Sequence, residues 1–350
     1  MGDEQIIVPR DAPILITGAT GFMGPAVVES LLNHGFSNLR AFARPSSDVT
    51  VLKAITERYR DKGRVEVVRG NLLSREDCIT ATKGVAVIFH LATGGDKSFP
   101  DSFMNSVVTT RNLLESTLRH TSLQRFVNIS SFAVYTNAQR KPLDENSPID
   151  DHPESGSDAY SFAKVKQDEI VSEYGKKYGI PYVIVRPGYV FGPGNEQITG
   201  RVGIDTFGVF VHLGGANRIP FTYVDNCADA IVLAGLKKGV EGEVFNVVDD
   251  DLPSSRQFLK LYKKHVRHFR SIYMPHSVSY ALSRAWEDYA TWSKGQLPLA
   301  FNRRRWHVDW KKTNYSNDKI KARLGWTPRI SMTEGLERYF ESCRMKGRNA

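Results

Sequence analysis

At 350 residues, 41% hydrophobic and 24% charged, the chain has the composition of an ordinary globular protein, long enough for one large core with a smaller lobe built on it. It holds no uncharged apolar run near the roughly 20 residues a membrane span needs. Met1 to Pro13 is too acidic and too poor in apolar residues for a secretory signal, so a cytoplasmic protein is expected. Cys78, Cys227 and Cys343 lie far apart without a C-x-x-C, and the nine histidines show no ligand spacing, so neither a disulfide framework nor a metal site is predicted. The formal charge of +9 belongs to the C-terminal part: from Arg256 to Arg329 there are 17 Lys or Arg against four acids. Such a stretch is a solvated basic face or an anion-binding one.

Taken in order, the chain first shows an apolar run from Ile14, then Gly18, Gly21 and Gly24 at three-residue spacing, then helical periodicity to Gly35. This reads as strand, turn and helix. Glycines let the backbone bend sharply and approach a pyrophosphate, which the N-terminus of the next helix can face with unpaired N–H groups. Pro25 suits the first helical turn and Gly35 a helix end. Further strands are predicted at 39–43, 64–68, 85–92, 125–130 and 182–187, with helices between them, including 103–120 and 158–178. Near-continuous apolar strands alternating with helices predict an α/β fold, a doubly wound parallel sheet of Rossmann type with its cofactor across the carboxyl ends of the strands. After Pro187 the alternation loosens. Residues 1–187, with strands from about 219–248, are expected to form the dinucleotide-binding domain. Residues 188–218 and 249–350, read as loops and helices, would form a smaller C-terminal substrate lobe.

The second strand ends in Ala43, Arg44, Pro45, Ser46, Ser47, where an acid would bond the 2′-hydroxyl of NAD and Arg44 instead favours a 2′-phosphate. NADP(H) is therefore the favoured cofactor, with NAD(H) left open. Gly70 and Asn71 would lie near the adenine, and Leu91, Ala92 and Thr93 near the ribose and phosphates. The chemistry falls at Tyr160 and Lys164, four apart on one helix face. Free tyrosine has a pKa near ~10, and an adjacent ammonium stabilises its phenolate. Ser130 and Ser131 end the preceding strand and can bring a hydroxyl to the same crevice.

On these segments the chain resembles an extended short-chain dehydrogenase/reductase of the NAD-dependent epimerase/dehydratase family over nearly its whole length. The matching stretches are TGATGFMG (17–24), VIFHLA (87–92), SSFAVY (130–135), YSFAK (160–164), VRPGYVFGPG (185–194) and FTYVDNCADAI (221–231). The resemblance implies Tyr160 as acid/base, Lys164 as the group that lowers its pKa and binds nicotinamide ribose, and Ser131 as the substrate-holding serine of the SxxxY pattern. It also implies that Gly18, Thr20, Gly21, Phe22, Met23, Gly24, Asn71, Leu72, Asn105, Pro187, Gly188 and Val190 line the cofactor. Thr109 stands where the family's N-x-x-G-T-x-N helix usually has glycine, and Asn71 where it usually has aspartate.

Reversible hydride transfer at a secondary alcohol or ketone is the activity implied, in a protein resembling homodimers. The substrate wall is expected from 195–203, 214–223 and the C-terminal part near Trp310. Asn195, Arg201, Arg218 and Arg304 are candidate substrate ligands, since guanidinium forks match phosphate oxygens and the family's largest substrate class is nucleotide sugars. Against this, 276–293 reads as an amphipathic helix with Val278, Ala281, Leu282, Ala285, Trp286, Tyr289 and Trp292 on one face. With PFTYVDN and NYSNDKIKARLGWTP it resembles the 3β-hydroxysteroid dehydrogenase-like branch, whose substrates are apolar. Packing within the lobe is the expected use of that face. A non-enzymatic dinucleotide sensor would have no need of Ser131, Tyr160 and Lys164 together, and nucleic-acid binding lacks a recognition motif.

Overall fold

The computed structural model describes residues 3–94, 98–120, 122–136, 142–150, 158–206, 208–293 and 302–349. In the first half strands and helices alternate: β1 (Ile14–Thr17), α1 (Gly24–Asn33), β2 (Asn38–Ala43), α2 (Thr50–Arg58), β3 (Arg64–Arg69), α3 (Arg75–Thr82) and β4 (Val87–His90). A short α4 (Phe99–Ser102) runs through a π-helical stretch, Phe103–Val108, into α5 (Thr109–Thr117), followed by β5 (Arg125–Ile129), α6 (Ala159–Tyr178) and β6 (Tyr182–Pro187). The rest comprises β7 (Tyr189–Phe191), β8 (Gly203–Thr206), β9 (Val209–His212), β10 (Phe221–Tyr223), α7 (Val224–Leu236), β11 (Val244–Val247), α8 (Ser255–His265), β12 (Ser271–Tyr273), α9 (His276–Trp292), α10 (Arg303–Asp309), α11 (Asp318–Leu324) and α12 (Met332–Asn349).

Seven strands form one sheet in the order β11-β6-β5-β4-β1-β2-β3, every neighbouring pair parallel. Side chains alternate across it, as strand geometry requires. Ile14, Ile16, Val127 and Val185 face Val27, Leu31, Leu52 and Ile231 in one core. Leu15, Ile88, Phe126 and Ile184 face Cys78, Leu113, Leu114 and Val171 in the other. Both faces are thus covered, which explains why the strands read as continuous apolar runs. The chain order reverses at β1, so β1 and β4 flank the switch point where such sheets bind ligands.

Within 188–218 and 249–350 the structure departs from the expected loops and helices, with β7, β8, β9 and β12 as added strands. β10 pairs with β7 in a small parallel sheet, while β8, β9 and β12 form a three-stranded one. A separate aromatic core, Phe191, Phe221, Phe258, Tyr262, Tyr339 and Phe340, fills the space under them. The C-terminal part is also not all lobe: Ile320, Leu324 and Trp326 pack into the core of the large sheet.

Candidate active site

The carboxyl ends of the central strands open on a cavity of about 930 Å³. The turn after β1 contributes Gly18, Thr20, Gly21, Phe22, Met23 and Gly24 to its walls, and the end of β2 contributes Arg44. Asn71, Leu72, Leu91, Ala92, Thr93 and Asn105 follow from the next loops, and Ser131, Tyr160, Pro187, Gly188 and Val190 complete the far side.

The three turn glycines have different reasons. Gly18 has φ +69 and a Cβ there would meet Ala92 N at 2.8 Å; one on Gly24 would meet the carbonyl oxygens of Gly18 and Ala19 at 2.4 Å. These two are needed by the turn itself. At Gly21 only the Gly18 carbonyl comes near, at 3.2 Å, and the Gly21 N–H closes the turn onto that carbonyl. The side of Gly21 that a side chain would occupy faces the cavity margin, where a ligand backbone needs room. Pro25 lies in the first turn of α1, which begins at Gly24 with its N-terminus at the same cavity.

At the opposite end, Arg69 Nη1 donates to the carbonyls of Arg44, Pro45 and Ser47 at 2.7, 3.3 and 2.8 Å, pinning the loop that carries Arg44. Ser47 and Asp48 also reach the cavity. The Asp48 carboxylate accepts from the Thr50 N–H and hydroxyl, and these bonds hold it below the usual carboxylate range. Asn71 accepts from Leu73 N at 3.0 Å and so shapes its own turn. Asn112 is buried behind that turn, donating to the carbonyls of Leu72 and Leu73. Thr109, in place of the expected glycine, follows the π-helical stretch as the first residue of α5; its hydroxyl bonds the carbonyls of Asn105 and Ser106, and both Asn105 and Thr109 reach the cavity.

Tyr160 enters from the first turn of α6, capped by Asp158, whose carboxylate accepts from Ser161 N. Lys164 lies one turn on and beneath the wall, 2% exposed, with Nζ 5.8 Å from the Tyr160 ring centre. The ammonium donates to the Ile129 carbonyl at 2.7 Å and to Gln167 Oε1 at 2.9 Å. Burial pulls its pKa down to about 8, against the opposing pull of Asp168. Gln167 in turn donates to the Thr110 hydroxyl, which bonds His90 Nε2 at 2.8 Å, while His90 Nδ1 bonds Thr17 Oγ1 at 2.8 Å. Burial, with Lys164 nearby, pushes His90 down to about 3, so the link from β1 to Lys164 is neutral. Ser131 caps the helical turn that follows β5, accepting from Ala133 N. Ser130 also lines the cavity, but its hydroxyl donates to Asp168, which also accepts from Asn128 and Arg186. Tyr135 of the SxxxY pattern is fully buried and bonds Asn246 and Arg186. It supports the serine strand from behind.

The structure does not bring the four substrate candidates to the cavity walls. Asn195 donates to the Val190 carbonyl, Arg201 to the Val308 carbonyl with Asp309 at 3.8 Å, and Arg304 pairs with Asp150. Arg218 is exposed and bridges to Ser254. The side chains of Asn195, Arg201 and Arg304 do local structural work that composition alone does not reveal. Conversely, Phe42, Ser47, Asp48, Gly94, Asp101, Thr109 and Tyr189 reach the cavity without having been expected there. For most of these the available signal was proximity to a strand end.

A parallel sheet with a glycine-lined crevice at its switch point, and a Tyr–Lys pair beside a serine in that crevice, defines a dinucleotide-binding enzyme of the short-chain dehydrogenase/reductase kind. The chain belongs to the NAD dependent epimerase/dehydratase family, whose model matches residues 14–247. It is 27% identical over 294 residues to an uncharacterized UDP-glucose epimerase, YtcB, of Bacillus subtilis (strain 168), covering 79% of this chain and 89% of that one. It is 24% identical to the 3beta-hydroxysteroid-dehydrogenase/decarboxylase isoform 1 of Arabidopsis thaliana, covering 96% and 80%. In fold it is similar to the UDP-glucuronic acid 4-epimerase of Bacillus cereus, solved with UDP-glucuronic acid and NAD, with TM-score 0.70, 20% identity, and 95% and 99% of the two chains covered.

Proposed function

We propose that the protein transfers hydride reversibly at a secondary alcohol or ketone carbon of a nucleotide sugar, as an epimerase or keto-reductase, with Tyr160, Lys164 and Ser131 as its acting side chains. The observation that carries this is the seating of Tyr160 and Ser131 in one cavity wall with the Lys164 ammonium buried directly behind. The residues present fit a nicotinamide dinucleotide: Gly21 leaves the turn open to it, the α1 N-terminus faces the same space, and the cavity reaches from Arg44 to Val190. That group supplies the hydride acceptor and donor. The chain's part is to hold and move a proton. Tyr160 takes the substrate hydroxyl proton, or returns it, at its phenolic oxygen. Lys164 uses two of its three N–H donors on Ile129 and Gln167, leaving one, with its charge, for the phenolate side. Ser131, its oxygen already accepting from Ala133, has its own O–H to donate to a substrate oxygen.

For the cofactor we favour NADP(H). Arg44 stands in the cavity wall on a loop pinned by Arg69, and Asp48, the acid nearest to it in sequence, is engaged by Thr50. NADPH is expected to bind more tightly than NADH, by roughly tenfold or more for a charged hydrogen bond worth about 1.5 to 3 kcal/mol. Arg44→Asp should reverse the order. Equal affinities by titration calorimetry would show that Arg44 faces elsewhere.

A second substrate reading has its own support. Arg201 and Arg304, two of the guanidinium groups expected to meet a diphosphate, have the carboxylates of Asp309 and Asp150 beside them, which favours an apolar hydroxy or keto substrate such as a sterol. Thermal protection in the presence of NADPH separates the two. A shift with UDP or dTDP supports the nucleotide sugar, whereas no shift with any nucleotide diphosphate and a clear one with a polycyclic ketone overturns it.

A further inference from the structure

Helix α9 is inside out. Its sequence has an apolar face, Val278, Ala281, Leu282, Ala285, Trp286, Tyr289 and Trp292, and all seven are exposed. What it buries against the lobe is Ser279, Ser283 and Ala290. Two polar contacts to α10 hold it that way round: Trp306 Nε1 donates to the Ser279 hydroxyl at 2.9 Å, and Glu287 accepts from Arg303. The orientation is fixed from behind, and an apolar stripe with Leu282 46%, Tyr289 51% and Trp292 76% exposed faces outward. A surface helix ordinarily does the reverse.

We infer that α9 is a docking element for an anionic lipid bilayer surface, lying in the plane of the headgroups rather than crossing them. No helix among the described residues is long and apolar enough to span. Charge decides the kind of surface. The stretch leading into α9, residues 256–273, contains Arg256, Lys260, Lys263, Lys264, Arg267 and Arg270 and no acid, and all but Lys263 are exposed. It ends in Ile272 and Tyr273, 64% and 44% exposed. This basic rim is joined to the helix. Arg256 lies over the Tyr273 ring at 5.3 Å, its backbone N–H bonds the Gly215 carbonyl, and His276, the first residue of α9, bonds the neighbouring Gly214 carbonyl. Apolar stripe, tryptophan and tyrosine, and a flanking polybasic rim are what an interfacial helix needs.

Size argues against a second copy of the chain. A helix of 17 residues is about 25 Å long, and a stripe about 10 Å wide covers about 250 Å² per partner, against about 800 Å² for a standard interface. A two-fold pairing would also set the basic rim against itself or leave it unmatched, while anionic headgroups neutralise it. The inference is independent of either substrate reading.

The test is co-sedimentation of the full chain with vesicles of phosphatidylcholine and phosphatidylserine, and with phosphatidylcholine alone, at low and high salt. Binding is expected to the anionic vesicles, weakened by salt and accompanied by a blue shift of tryptophan emission. Leu282→Glu/Trp292→Glu should cut the partition coefficient by about tenfold or more with unchanged circular dichroism and melting temperature. Both residues are surface positions outside the cavity, so dinucleotide binding serves as a second check of folding. Wild-type protein that stays in the supernatant at low salt, or a double variant that binds as well as wild type, overturns the inference. So does wild-type dimerisation in ultracentrifugation that this double variant abolishes, since the face would then belong to a second copy.

Discussion

At the scale of the residue, the Tyr–Lys pair was legible because residues four apart share a helix face, where an ammonium can stabilise a phenolate. Tyr160→Phe should lower turnover by ~10² to 10⁴ while dinucleotide binding survives; retention of more than half the activity would remove Tyr160 from the mechanism. What could not be read from spacing is the support of Lys164. Thr17, His90, Thr110 and Gln167 come from β1, β4, α5 and α6 and meet only because the sheet places those elements together. A pH effect follows. With the Lys164 pKa pulled down by burial to about 8, the ammonium is present below that pH and lost above it, so kcat/KM should fall on the alkaline side. Gln167→Glu puts a carboxylate where an amide oxygen now accepts at 2.9 Å, favours the charged lysine, and should move that limb upward by about one pH unit or more. A limb unmoved in the pH profile of the variant would mean that another group sets it.

At the scale of the element, apolar runs marked the central strands, since burial on both faces leaves little polar interruption. The lobe strands β8, β9 and β12 were missed because runs of four or three residues are too short to establish a period, even where burial alternates as in β9. Helix α9 was foreseen as a helix, but its direction was not. Periodicity shows that a helix has two faces; which one is buried depends on partners such as Trp306 and Arg303. The glycine turn offers a prediction of the same kind. Gly24→Ala forces a Cβ to 2.4 Å from two backbone oxygens and should destabilise the fold by about 1 to 3 kcal/mol, read as a lower melting temperature. Gly21→Ala meets only one atom, at 3.2 Å, and should leave the melting temperature nearly unchanged while weakening dinucleotide binding. Equal losses of stability in both would mean that Gly21 serves the turn and not a ligand.

At the scale of the whole molecule, doubly wound topology sets the crevice at the switch between β1 and β4, and the cofactor side of the cavity follows from it. The substrate side does not follow in the same way. Arg201 and Arg304 read as phosphate ligands by residue type, yet the tertiary fold supplies Asp309 and Asp150 as their partners. The uneven charge was visible in composition, whereas its meeting with an exposed apolar helix was not. The central claim, hydride transfer between a nicotinamide cofactor and a nucleotide sugar with Tyr160 moving the hydroxyl proton, is tested most directly by stopped-flow absorbance of the oxidised-cofactor-bound protein mixed with UDP- and dTDP-sugars. A reduced-nicotinamide band, transient or lasting, is expected with at least one of them, and its formation should slow by about 10² to 10⁴ in Tyr160→Phe. No band with any sugar nucleotide while the cofactor is demonstrably bound, or a band that forms in the variant at the wild-type rate, would contradict it.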